Sequence, residues 1–483
     1  MIKEKTVAED FFNLETGKGR QDGVIKTLSG ERFTPFTLAK KLNAKVILES
    51  ASFKKGRERY SLLLVREAFT ILQEGSDLVM NREGKRHKLN TASKDILDLL
   101  SYFARQHPPL YQDIPMPAGG IGFLSYEFAR FCDDMKFTLK EDTLNLPTAA
   151  FIFGHIFIIF DHYTDIIYLM GLNYKEHEID LPAAMAATEE KLNDLNFNYL
   201  SPQQPRYEGT IINSKNERET YMEGVRRIKN EIVKGNLLQG VLSRRVYIRS
   251  EIPALQAYKQ LRSSNPSPYL FYIDFGSYQL FGSSPEVHVK VKNSRAEIHP
   301  IAGTRRRGAT VKEDQKLEEE LLNDEKERAE HLMLVDLARN DLGRICAPGS
   351  IHIDQYMEVE HFSHVMHIVS KVSGDLAPEM TGVDAIRATF PAGTVSGAPK
   401  IRAVETIDRI ESESRSFYSG IVGYMEPDGG VDTCITIRSG LKKGNTLVLQ
   451  AGAGIVYDSV PEREFEETNE KLRALAAAVG MEI

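Results

Sequence analysis

TLVLQAGAGIVYDSVPEREFEETNEK, residues Thr446 to Lys471, passes from one backbone periodicity to another and decides how the chain is read. Alternating apolar residues over Thr446–Gln450 predict a strand. The small residues Ala451-Gly452-Ala453-Gly454 predict a turn, followed by a short apolar run. After Ser459 a helix is expected, with Pro461 in its first turn and Glu462 and Glu464 at its positive end. On that helix Glu464, Glu467 and Lys471 are three and four residues apart and share a face. Bare amides beside two carboxylates and a lysine suit a hard metal ion together with an anionic ligand. Glu and Lys at helical spacing more often form only a solvated face, so this stretch needs a second half elsewhere.

That half is DEKERAEHLMLVDLARND, Asp324–Asp341. Glu327 and Glu330 repeat the Glu-x-x-Glu spacing, and Leu332, Leu334, Val335 and Leu337 are expected on the buried face. Two helices offering two carboxylates each could hold one Mg²⁺, with water and a substrate carboxylate completing the octahedron. Arg438, in the apolar run TCITIRSG, needs an anionic partner, either a ligand carboxylate or a protein acid. PAGTVSGAPK, Pro391–Lys400, is not a P-loop, because Ala398-Pro399 separates its last glycine from the lysine. His361, His364 and His367 do not form a zinc set, since in a strand His364 and His367 point to opposite faces. His367 remains a candidate acid or base. No GxSxG or GxCxG turn offers a nucleophile.

Working outward, strands are expected at Lys45–Ser52, Tyr60–Val65, Ala150–Phe160 and Ile166–Gly171 in the first half, around a basic loop at Phe53–Arg59. Leu237–Arg249 and further strands follow in the second half. The first 30 or so residues read as an extended lead-in and 196–217 as a surface connection. Neighbouring hairpin-like strands with interspersed helices predict an α+β fold, with an antiparallel β-sandwich core and helices packed outside. The expected division is residues 1–200 and 201–483, with strands of the two parts intermixed. The 483-residue chain carries a net charge of −7, which argues against nucleic acid as partner. Its three cysteines form no CxxC pair, which fits a reducing cytoplasm. The most apolar run, Ala149–Phe160, is too short for a bilayer and reads as a buried strand, so no membrane association is expected.

PIAGTRRRG, DEKERAEHLMLVDLARNDLGRI, VMHIVSKVSG, GTVSGAPKIRAVE, YSGIVGY, DTCITIRS and QAGAGIVYDSVPEREFEETNEK together resemble the chorismate-utilising enzymes, in that family's order and over nearly all of residues 220–475. The N-terminal half resembles the family more loosely. Isochorismate- and salicylate-forming members carry a lysine base where this chain has Gln239, which disfavours water as nucleophile. The common aminodeoxychorismate-forming members carry lysine in PIKGT, where this chain has Ala302. Similarity is therefore greatest to the anthranilate-forming branch, whose reaction is the first committed step of tryptophan synthesis. ILES, Ile47–Ser50, is similar to that branch's feedback element. With Pro268, Tyr269 and Leu270 it implies a tryptophan pocket using Glu49 and Ser50, and the regulatory part would be N-terminal. The chain contains no tryptophan, in keeping with an enzyme translated when its end product is scarce.

The resemblance implies Glu330 and Glu467 as Mg²⁺ ligands, with Glu327 and Glu464 holding metal-bound waters. It implies Tyr418 and Arg438 as a grip on the enolpyruvyl carboxylate. Gly452, Ala453 and Gly454 would offer amides, and Lys471 a charge, to the substrate. Thr394 and the Gly303-Thr304 turn would line the ring site, and His367 would lie near the departing ring hydroxyl. The implied reaction adds ammonia to chorismate at C2 and then eliminates pyruvate. No amidotransferase nucleophile is present, so a glutamine amidotransferase subunit and a hetero-oligomer are expected. Arg306 stands where the family usually has proline, Asn236 where it has aspartate and Gly240 where it has a β-branched residue; none is an implied catalytic position. The aminodeoxychorismate-forming branch, and a non-catalytic chorismate- or tryptophan-binding protein, are the competing readings.

Overall fold

The structure, a computed structural model, describes residues 23–52, 56–57, 59–91, 94–111, 113–138, 140, 143–194, 196, 207–213, 216–362 and 365–481. The lead-in before residue 23, most of the 53–59 loop, most of the 196–217 connection and His364 lie outside these residues.

Two long strands, Tyr60–Glu74 and Ala149–Asp161, pair along most of their length, with register shifts between Leu64 and Phe69. Every residue of Ala149–Asp161 is buried, which explains why its sequence is apolar without alternation. Two arms of antiparallel sheet spread from this pair. One runs through Val46–Glu49, Tyr269–Asp274, Gln279–Ser284, Ser439–Lys443 and Thr446–Ile455 to Gln239–Ser250. The other runs through Ile121–Leu124, Ile421–Met425, Val431–Ile435, Val287–Lys292 and Arg295–Ile298 to Val365–Asp375. One core joins them: Val46, Leu280 and Val448 of the first arm pack in the same cluster as Phe123, Val289 and Val422 of the second. This is the expected α+β sandwich with helices outside. Each arm passes once from strands before residue 201 to strands after it, where Glu49 pairs with Leu270 and Phe123 with Val422.

Several local expectations are corrected. Ala451–Gly454 is not a turn. The strand continues to Ile455 because Gln239–Ser250 pairs with it throughout, Gly452 opposite Ser243 and Gly454 opposite Val241. The turn comes after Ile455, before the helix Pro461–Ala478. The charged stretch around Asp324 forms two helices, Val311–Asn323 and Glu325–Gly343, because the Asp324 carboxylate caps the second, accepting from the amides of Lys326 at 3.0 Å and Glu327 at 3.2 Å. Leu334 and Val335 of that helix are buried, but Leu332 is 45% exposed. His361 and His367 lie on the two strands of one hairpin, His352–His361 and Val365–Asp375. The short strand Gly209–Ile211 lies within the expected 196–217 connection. Among the described residues no helix is long and apolar enough to cross a membrane.

Candidate active site

The strand Thr446–Ile455 is the floor onto which the other elements bring side chains. Its glycines are required by close approach. A Cβ on Gly452 would lie 2.8 Å from the Leu242 carbonyl and 3.2 Å from Tyr418 Oη. One on Gly454 would lie 2.6 Å from Gln239 Nε2 and 3.8 Å from Glu330 Oε1. Gly454→Ala is therefore expected to push Gln239 off Glu330 and cut turnover about tenfold with the fold intact, because the nearest atom ends a flexible side chain. Steady-state rates with a thermal scan check this.

The two Glu-x-x-Glu faces meet over this floor. Gln239 Nε2 donates to Glu330 Oε1 at 2.8 Å, and burial holds the Glu330 carboxyl above its ordinary range, with the charges of Glu327 and Glu467 adding to the rise. Glu464 is raised in the same way, by burial first and then by Glu467. Lys471 Nζ bridges Glu467 Oε1 at 2.7 Å and the Gly452 carbonyl at 2.8 Å. Glu327 pairs with Arg305 at 3.0 Å. These carboxylates suit Mg²⁺ by donor type and by their mutual repulsion, which a divalent cation would offset. Gln239, Arg305 and Lys471 are the internal partners it competes with, and among the described residues no three His, Cys, Asp or Glu side chains already form a metal-holding group.

Arg438 is not inside a strand. It occupies the break between Val431–Ile435 and Ser439–Lys443 with φ +51°, a left-handed backbone uncommon for such a residue. Its Nη1 donates to the Lys471 carbonyl at 3.2 Å, and no carboxylate forms an ion pair with it among the described residues. Burial lowers its pKa, opposed by Tyr418 and Glu467. Of the two expected partners, a protein acid in direct contact is absent among the described residues, and Glu467 acts only through its charge.

His367 Nδ1 donates to the Gly303 carbonyl at 2.8 Å and lies 3.1 Å from Thr304 Oγ1. Because a carbonyl only accepts, Nδ1 carries the proton and Nε2 is left free. Burial brings the imidazole down to about 4, with Arg438 and Lys471 opposing its charge. At neutral pH His367 is thus uncharged and able to act as an acceptor or base rather than an acid. Gly303 has φ +66°, and a Cβ there would lie 3.2 Å from Glu327 Oε2.

Thr394 Oγ1 is buried without a hydrogen-bond partner among the described residues and lines a small cleft together with Gly393, Glu286, His288 and Asp341. Glu286 was not singled out by sequence reasoning. It sits in SSPEVHVKV, a run whose apolar alternation speaks only of a strand. Burial pushes its carboxyl up to about 8, while Thr394 and Lys471 act to lower it. It therefore keeps its proton at neutral pH and can lend one. At fixed free ammonia, kcat is expected to fall as pH rises through about 8, where Glu286 loses that proton. The Glu286→Gln chain should show a lower kcat without that descending limb.

The proposed regulatory residues gather elsewhere, where the two parts of the chain pair. Leu270 lies across from Glu49, and Ala51 N–H donates to the Ser267 carbonyl at 3.0 Å, bringing Ser50 near Pro268. The Glu49 carboxylate is engaged by Arg262 at 2.6 Å and by Tyr258 Oη at 2.7 Å, and Tyr269 Oη donates to Asp432 at 2.6 Å.

A carboxylate-rich face and the Arg438 guanidinium thus gather around a glycine strand in an antiparallel α+β sandwich. The model of the chorismate binding enzyme family matches residues 52–477, and the chain belongs to that family, whose members are enzymes acting on chorismate. More particularly, it is 59% identical over 481 residues to anthranilate synthase component 1 of Spirochaeta aurantia, covering 98% of this chain and 100% of that one. It is 37% identical to anthranilate synthase component 1 of Aquifex aeolicus, covering 92% of each. Among solved structures, anthranilate synthase component I of Streptococcus pneumoniae superposes with a TM-score of 0.77 at 35% identity, covering 86% of this chain and 92% of that one. The menaquinone-specific isochorismate synthase MenF of Escherichia coli shares the fold, with a TM-score of 0.71 at 19% identity and 95% of each chain covered.

Proposed function

We propose that this chain catalyses the amination of chorismate at C2 and the elimination of pyruvate, giving anthranilate. The observation that carries this reading is Arg438, a half-buried guanidinium that pairs with no carboxylate among the described residues, beside Tyr418, Lys471 and the glycine strand. Those groups are suited to hold the two carboxylates of chorismate, with the buried Thr394 hydroxyl and Glu286 carboxyl available to its ring.

Ammonia forms the new bond at C2 as the double bond shifts and the C4 hydroxyl leaves. Glu286 supplies the proton that lets it leave as water. His367, fixed by Gly303 through Nδ1, keeps its Nε2 unprotonated and able to accept a proton. A base, for which the neutral His367 is available, then takes the C2 proton as the C3–O bond breaks; enolpyruvate leaves and picks up a proton to become pyruvate, and the ring becomes aromatic. Glu330 and Glu467, with Glu327 and Glu464 through water, would hold Mg²⁺. That ion supplies charge to a substrate carboxylate and offsets negative charge in the transition state. The part before residue 201 would be regulatory, with tryptophan acting near Glu49, Ser50, Pro268, Tyr269 and Leu270. The part from 201 to 483 would be catalytic, and the enzyme cytoplasmic.

The name component 1 borne by the relatives implies a second component. A glutamine amidotransferase subunit fits, since this chain offers no glutaminase nucleophile. The purified chain should convert chorismate with ammonium salt and not with glutamine, and tryptophan should inhibit it. Turnover of glutamine by the chain alone would contradict the need for that subunit. Aminodeoxychorismate without pyruvate would move the enzyme to the other aminating branch.

A further inference from the structure

Tyr418 lies in RSFYSG, Arg415–Gly420, the segment between the helix Lys400–Ile410 and the strand Ile421–Met425. Two of its serines are left-handed, Ser416 at φ +58° and Ser419 at φ +61°. That conformation is uphill for a residue with a Cβ, so it persists only where the surroundings fix it.

The fixing comes partly from the first part of the chain. Glu127, in the 3₁₀ turn Tyr126–Phe131, accepts the Arg415 N–H on Oε1 at 2.7 Å and the Ser416 N–H on Oε2 at 3.0 Å. Tyr126 N–H donates to the Ser416 carbonyl at 2.9 Å. The Arg415 side chain, only 2% exposed, donates to Glu411 at 2.7 and 2.9 Å and to the Val395 carbonyl at 2.7 Å. Its guanidinium stands 4.6 Å from the Tyr126 ring centroid and 5.9 Å from that of Tyr418. Glu127 thus reaches the backbone of the Tyr418 segment, while Arg415 joins it to Val395, next to Thr394.

We propose that Glu127 is a positioning residue for substrate binding: its carboxylate clamps the Arg415 and Ser416 amides and thereby holds Tyr418 against the glycine strand. This rests on the reading of Tyr418 as part of the grip on a substrate carboxylate. Both Glu127 oxygens accept, and each takes a different amide. A glutamine of the same shape turns an NH₂ toward one of those N–H groups, leaving it unpaired.

Glu127→Gln is expected to raise KM for chorismate about tenfold with kcat within about twofold, as for lost uniform binding. Two companion variants separate this from a general loss of packing. Ser416→Gly removes the Cβ penalty at φ +58° and should restore most of the lost affinity in the Glu127→Gln chain. In a Tyr418→Phe background Glu127→Gln should add little, because it acts through Tyr418. An unchanged KM in Glu127→Gln overturns the inference, as does the same fold-change in both backgrounds. If Tyr418→Phe alone leaves KM unchanged, the reading of Tyr418 fails by a separate result. Should Glu127→Gln not fold, the pair with Ser416→Gly is measured instead. Failure of that pair to fold would show a structural role and overturn the inference as well.

Discussion

Glu467→Gln lowers chorismate turnover about a thousandfold, the loss expected when a group offsetting transition-state charge is removed from a preorganised site. The same change should leave stability almost untouched. The side chain is 45% exposed and its partner Lys471 33% exposed, and ion pairs so placed contribute roughly 0–1 kcal/mol. Initial rates measured beside a thermal scan separate the two effects. A comparable fall in rate and in melting temperature would mean that Glu467 supports the helix rather than the chemistry. Glu330→Gln should lose activity similarly, and it also turns an amide toward Gln239, whose Nε2 now donates to Glu330 at 2.8 Å.

Arg438→Ala is expected to raise KM for chorismate about a hundredfold, as when one partner of a buried charged contact is removed. The melting temperature should stay level or rise. Arg438 is desolvated and pairs with no carboxylate among the described residues, so its cost to the fold is not recovered within the protein. A large fall in stability would show instead that the guanidinium is a structural brace for the Lys471 carbonyl. Arg438→Lys should recover little of the affinity, because a point charge does not reproduce a planar fork.

Much of this arrangement was legible in the sequence, and its limits have physical causes. The helical spacing of Glu464, Glu467 and Lys471 follows from the 3.6-residue period, and the structure keeps it. Gly452 and Gly454 were noticed for the wrong reason. Glycines usually signal a turn, but here a fully paired strand needs them because Tyr418 and Gln239 crowd its surface. Arg438 was noticed through its apolar neighbours, while its place in a strand break depends on a positive φ that no composition reveals. Glu286 and Glu127 escaped notice because their meaning is burial. One lies in an alternating strand and the other in a short 3₁₀ turn, and only tertiary packing gives them their partners. The intermixing of the two parts follows from long bent strands that serve both arms of the sheet, a non-local property that periodicity suggests only in outline.

The most direct test is to incubate the purified chain with chorismate, Mg²⁺ and an ammonium salt, and to quantify the products by chromatography beside the Glu467→Gln chain. The account predicts anthranilate and pyruvate in equal amounts from the natural chain and almost none from the variant. Chorismate bound but unconverted by the natural chain, or equal turnover by both, would contradict it.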